Sequence, residues 1–151
     1  MAVFRGAIAI GIGNPLRRDD GVARHVLDAI PEDTDIEKLS VVQLTPEIAD
    51  QVSSYSIAIF VDAHVNAKYP MIREVENVLA PIPLTHIATP AEIVALARAI
   101  FGFAGHAYIC RVPASDFSEG EGISDRSKGF VKAAAREIEH LLALPLKGAI
   151  K

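Results

Sequence analysis

Cysteine is almost missing from this chain, and that scarcity is the first constraint on its chemistry. A single thiol, Cys110, in 151 residues excludes an internal disulfide and a zinc centre built from a cysteine cluster. It stands between Ile109 and Arg111 in the strand-like run from Ala107 to Val112, where a free cysteine reads as apolar filling rather than as a nucleophile. A dominant charge of one sign is also lacking. The net charge of −4 comes from interspersed acids and bases, which leaves no basic footprint for nucleic acid or an anionic membrane. No apolar run approaches the roughly 20 residues a membrane helix needs. Only Arg5 precedes the first apolar run, and no signal-peptide cleavage pattern follows it, so a cytoplasmic protein is expected. A Gly-x-Ser-x-Gly elbow is absent, and Ser53, Ser54 and Ser56 read as loop residues, which speaks against a covalent serine mechanism.

The chain is half hydrophobic, enough to fill one core, and a single domain over residues 1–151 with a core of about 7–143 is expected. The β-branched run Ala7–Ile12 suits a strand buried on both faces. It runs into Gly11-Ile12-Gly13-Asn14, a polar turn, and the adjacent acids Asp19 and Asp20. Val22, Val26, Ala29 and Ile30 then recur at helical spacing, predicting a helix from about Asp20 to Ile30 that Pro31 stops. Further on, Leu39–Leu44 reads as a strand, and Thr45-Pro46-Glu47 as the capped start of a short helix through Ser53. Ile57–Val61 is a second buried strand ending at Asp62, and Met71–Val78 an edge strand of imperfect alternation. Thr89-Pro90-Ala91-Glu92 opens a helix with a capping box, with Ile93, Val94, Ala97, Ile100 and Phe101 as its buried stripe and Gly102 as its end. Ala107–Val112 is a strand, Pro113–Gly122 an exposed acidic loop, and a long helix from Ser124 is stopped by Pro145. Alternating strands and helices predict an α/β class, a three-layer α/β/α single domain with a twisted, mostly parallel sheet.

The Gly-Ile-Gly-Asn turn is not a dinucleotide fingerprint. The third glycine position holds Leu16, with Pro15 before it, so the close helix–strand packing that this glycine allows is missing. Carboxylates at the mouth of the turn repel phosphate and attract cations. Asp62, directly after an apolar strand, must lie at the sheet's carboxyl edge, where open α/β sheets bind ligands. A histidine from a further loop, His86 or His64, would complete two oxygens and an imidazole, a donor set for a borderline divalent ion such as nickel or zinc.

Gly11-Ile-Gly-Asn-Pro-Leu-Arg-Arg-Asp-Asp20-Gly, Gln43-Leu-Thr-Pro-Glu47, Phe60-Val-Asp-Ala63, Thr85-His86 with Pro90-Ala-Glu, and Phe117-Ser-Glu-Gly-Glu-Gly-Ile-Ser124 together resemble the hydrogenase maturation proteases. Members of that family remove a C-terminal extension from the large subunit of nickel–iron hydrogenases. The resemblance, from about Ile8 to Leu142, implies that Asp20, Asp62 and His86 bind nickel, that Asp20 and Asp62 also serve the catalytic step, and that the nickel arrives with the large-subunit precursor. Other divalent ions can occupy such a site. The resemblance also implies an alternative, a non-catalytic metal-sensing or chaperone relative that binds the nickel-loaded subunit without cutting it. Where the family carries a glycine two residues after Gly21, this chain has Ala23.

Overall fold

The computed structural model of the chain describes residues 5–77 and 88–144. Five strands and four α-helices alternate along them: β1 (Arg5–Ile12), a 3-10 turn (Arg18–Gly21), α1 (Val22–Ala29), β2 (Ile36–Val41), α2 (Glu47–Val52), β3 (Tyr55–His64), β4 (Met71–Glu74), α3 (Pro90–Ile100), β5 (His106–Pro113) and α4 (Asp125–Ala143). The strands form one sheet in the order β2-β1-β3-β5-β4. The first four run parallel, and β4 closes the edge antiparallel to β5.

Both faces of the central strands are apolar, because each must bury against a helical layer. On one face Ala7, Ala9, Ile57, Ile59, Val61, Cys110 and Val112 meet Val26 of α1 and Ala134 and Ile138 of α4. On the other, Ile8, Ile10, Ala58, Phe60 and Ala107 meet Ile48 and Val52 of α2 and Ile93, Val94 and Ala97 of α3. Each fully buried isoleucine or phenylalanine contributes roughly 1.5–3 kcal/mol, so these two layers hold the sheet's carboxyl edge in place. The expected three-layer α/β/α domain with a mostly parallel sheet is the observed one.

Several boundaries differ from the sequence reading. The expected first helix begins as a 3-10 turn carrying Asp19 and Asp20, and α1 proper starts at Val22. The strand expected at Leu39–Leu44 is Ile36–Val41, while Leu44 is buried beneath α2 and α3. Thr45 is not the cap of α2, whose N-cap is Pro46 without a side-chain hydrogen bond. The capping box of α3 is present in both directions, Thr89 Oγ1 accepting from the Glu92 backbone and Glu92 Oε1 from the Thr89 backbone. Ile100 and Phe101, expected in the stripe of that helix, are 66% and 41% exposed, and Phe103 just beyond the helix fills that layer after Ala97. The edge strand is shorter than expected and stops at Glu74. His86, Pro145 and the tail Lys147–Lys151 lie outside the described residues. No described helix is long and apolar enough to cross a membrane.

The topology places the site. From β1 the chain crosses by α1 to β2 on one side, then by α2 to β3 on the other. The carboxyl ends of β1 and β3 therefore flank the point where strand order reverses, the usual ligand crevice of an open α/β sheet.

Candidate active site at the carboxyl edge of the sheet

The turn after β1 is shaped by two glycines. Gly13 has φ +144° and no room for a Cβ, which would lie 1.7 Å from the Asp20 carbonyl oxygen. Gly21 packs on Pro15, where a Cβ would come within 2.7 Å of the proline Cα. This close folding lets the Asn14 backbone N–H donate to Asp20 Oδ2 at 2.8 Å, while Asn14 Oδ1 accepts from the Leu16 N–H at 2.9 Å. Asp20 is thus clamped by the turn that precedes it. Ala23, standing where a glycine was expected, is accommodated from the strand side. It faces Gly11, where a Cβ would lie 3.3 Å from the Ala23 Cβ.

Asp19 joins this turn to a distant loop. It is fully buried at 0% exposure. Oδ2 accepts from the Ser115 and Asp116 backbone N–H groups at 2.9 Å each and from Ser124 Oγ at 2.8 Å, and Oδ1 accepts from the Ser124 N–H at 2.7 Å. Burial pushes its carboxyl up, but the hydrogen bonds from Ser124, Ser115 and Asp116 outweigh that and hold it well below the usual carboxylate range. The Pro113–Gly122 segment, expected to be a solvated acidic loop, is in part the seat of this carboxylate. The two loops are further joined by Arg18 N–H to Gly120 O at 3.0 Å, Gly120 N–H to Leu16 O at 2.9 Å and the Arg17 guanidinium to Phe117 O at 3.2 Å. Between them lies a groove of about 740 Å³ lined by Asn14, Leu16, Arg17, Phe117 and Gly120, among others. Leu16 stands 60% exposed at its rim.

Asp62 lies within β3, two residues before its end, in register with Ile12 of β1 on one side and Arg111 of β5 on the other. Burial, with the nearby Asp20 charge adding to it, pushes its carboxyl up to about 6, although the Ala63 N–H and Arg111 favour ionisation. The Asp20 contribution shows that the two predicted acids share one electrostatic environment. Two carboxylates that repel each other in a partly buried crevice form a pair that a divalent cation would relieve, and the oxygen donors suit one. Among the described residues, no three His, Cys, Asp or Glu side chains form a group that could hold a metal ion. His64 therefore does not complete a triad with Asp20 and Asp62. Its Nδ1 accepts from the Asn66 N–H at 3.2 Å instead.

Cys110 is buried between the sheet and α4, and burial pushes its thiol up to about 12, which leaves it the inert filler expected. His25 and His140 are exposed on their helices. His106 begins β5, with Nδ1 4.0 Å from Glu74. Sequence reasoning missed Asp19 as the buried anchor of two loops. The serines that hold it, Ser115 and Ser124, lie about a hundred residues away, and nothing local marks them as its partners.

A parallel-sheet α/β domain with paired acids at its topological switch point defines the class of site. No protein-family model and no curated protein matches the sequence. Solved structures do, at the level of the fold. The chain is similar to the hydrogenase maturating endopeptidase HybD from E. coli, with a TM-score of 0.70 and 17% identity over 90% of this chain and 91% of that one. It is similar to the [NiFe] hydrogenase maturation protease HycI from Thermococcus kodakarensis, with a TM-score of 0.68 and 20% identity over 93% of this chain and 94% of that one. The HybD protease of the same organism superposes with a TM-score of 0.63 and 17% identity, covering 90% of this chain and 98% of that one. The fold expected from the motifs is thus the fold of hydrogenase maturation endopeptidases.

Proposed function

We propose that this chain is a processing endopeptidase of hydrogenase maturation, removing the C-terminal extension of a nickel-loaded nickel–iron hydrogenase large-subunit precursor. The observation that carries the reading is the acid pair. Asp20, held by the Asn14 N–H, follows the turn after β1, and Asp62, raised to about 6 by burial and in part by the Asp20 charge, stands near the end of β3, on either side of the switch point of a fold shared with such endopeptidases.

In this reading Asp20, Asp62 and His86 hold the nickel brought by the precursor, and His86 lies outside the described residues. Nickel held there would supply a recognition element and Lewis-acid chemistry at the scissile carbonyl. Before nickel arrives, Asp62 is the carboxylate that takes up a proton most readily, since burial and the Asp20 charge raise it to about 6. Asp20 keeps a fixed oxygen in the crevice, because the Asn14 N–H restrains it. The groove between Leu16 and Phe117 opens beside this turn and gives an extended peptide an exposed apolar contact.

The test is to incubate the protein with nickel-loaded and nickel-free precursor and follow loss of the C-terminal peptide by mass. Cleavage only of the loaded form, abolished by Asp20→Asn and Asp62→Asn, is expected. Cleavage indifferent to nickel or to both substitutions would overturn the mechanism, and a stable complex without any mass change would favour a non-catalytic chaperone. Because ligation requires the ionised Asp62, divalent-ion affinity should also fall below about pH 6.

A further inference from the structure

Asp62 is not the last polar group on its face of the sheet. Strand alternation puts Ala58, Phe60, Asp62 and His64 of β3 on the side covered by α2 and α3, and Ala107, Ile109 and Arg111 of β5 beside them. The antiparallel edge adds Met71 opposite Arg111, and Arg73 opposite Ile109. Beyond the apolar layer this face carries Asp62 and, toward the edge, the two arginines Arg111 and Arg73. His64, Asn66, Ala67, Met71, Arg73 and Arg111 line a half-open cavity of about 220 Å³.

Two arginines line one small space, and neither takes part in an ion pair within 4.0 Å or a side-chain hydrogen bond among the described residues, although Arg111 is near enough to Asp62 to favour its ionised form. Glu74, next to Arg73 in sequence, faces His106. Because His64 Nδ1 accepts from Asn66, the ring proton sits on Nε2, a further donor. Guanidiniums remain charged at any working pH, and their planar fork matches a carboxylate. The volume lies below the roughly 300–1,000 Å³ of pockets for drug-sized ligands, and it suits a single small anionic group. The Asp62 carboxyl on the adjoining strand disfavours a doubly charged phosphate.

We propose that this cavity is a subsite for one carboxylate of the peptide substrate, held by Arg73 and Arg111. The substrate's identity rests on the protease reading above; the anion chemistry does not. Two sources share that chemistry. One is an aspartate or glutamate side chain near the scissile bond. The other is the α-carboxylate that hydrolysis creates: water adds across the C–N bond, leaving a carboxylate on the N-terminal fragment and an ammonium on the released one.

The experiment observes the arginine Nε–H resonances of the intact, metal-free protein at pH 7.5 during titration with three probes. N-acetylglycine carries only an α-carboxylate, N-acetylaspartate α-methylamide only a side-chain carboxylate, and N-acetylglycinamide none. The carboxylates should shift Arg73 and Arg111 with millimolar affinity and the neutral amide should not, the tighter carboxylate identifying the source. Arg73→Gln, at an exposed position of the edge strand, should weaken binding about fivefold with the circular dichroism spectrum unchanged. Equal shifts with the neutral amide, no shift with either carboxylate, or binding that survives in the R73Q/R111Q double variant would overturn the subsite. In the cleavage assay R73Q should raise KM more than it lowers kcat, and an unaltered kcat/KM would overturn the substrate assignment. A protein that binds the carboxylates and cleaves no precursor would refute the protease reading and leave the anion subsite standing.

Discussion

Replacing Asp62 by asparagine should abolish processing and at the same time make the protein more stable at pH 8. In the folded chain, burial and the Asp20 charge raise the carboxyl from the usual 3.8 to about 6. A carboxyl with a folded pKa above its unfolded one binds more protons in the native state between the two values, so native stability falls as pH rises through that window. The cost is absent below about pH 4 and complete above about pH 6. Two pKa units correspond to about 2–3 kcal/mol. An asparagine of nearly the same shape carries no charge, so the variant should be more stable than the parent by about that amount at pH 8 and equal to it at pH 4. For a chain of this size that is a rise in Tm of about 5–10 °C. The chain contains no tryptophan, so urea unfolding is best followed by far-ultraviolet circular dichroism, with a chelator present to keep both proteins metal-free. Asp20→Asn should give part of the same gain, because the Asp20 charge is one of the causes. A D62N variant that is less stable than the parent at pH 8, or more stable by the same margin at every pH, would refute the reasoning.

Asp19→Asn should act in the opposite sense. The amide cannot accept from all four donors now meeting that carboxylate, and a loss of about 2–4 kcal/mol in urea unfolding at pH 7 is expected. Since the Asp19 carboxyl is held below its usual range, its contribution is present above about pH 4 and is lost as the pH falls further, so the gap between parent and variant should narrow in acid. Gly13→Ala must displace the Asp20 carbonyl, 1.7 Å from the new Cβ, and adopt φ +144°. Strain of about 1–3 kcal/mol and loss of processing out of proportion to the fall in Tm are expected, measured by thermal unfolding beside the cleavage assay. Cys110, with its thiol pushed up to about 12 in the core, should resist a thiol reagent at pH 8 until the protein is unfolded, as a colour-forming disulfide exchange would report.

The strongly periodic segments could be read directly from the sequence. The runs around Ile8, Ile59 and Ile109, the Thr89–Glu92 cap and the start of the long helix at Ser124 each carry their signal within a few residues, and each formed as expected. Element ends were less well marked. The Thr45-Pro46 start looks like a helix cap, yet the chain there is already turning to bury Leu44, and tertiary packing decides where α2 begins. The stripe of α3 was overestimated for the same reason, because periodicity shows which residues could be buried and not how far the covering layer extends.

The site divides along a similar line. Sequence alone pointed to the Gly-Ile-Gly-Asn turn, to Asp20 and to Asp62 at a strand end, since a carboxylate interrupting a buried apolar run must lie at an edge of the sheet. His86 was singled out in the same reading and lies outside the described residues. The choice of Asp20 over its neighbour came from the resemblance to the maturation proteases, and what only the tertiary structure decided is what holds Asp19 and what surrounds Asp62. Asp19 is withdrawn into the core by Ser115 and Ser124 and leaves Asp20 facing the crevice. Arg73 and Arg111 line one cavity near Asp62 because β4 pairs with β5 in a register that sets Met71 opposite Arg111 and Arg73 opposite Ile109. Both arrangements depend on contacts between residues far apart in the chain, and local pattern carries no information about which distant loop or strand a side chain will meet.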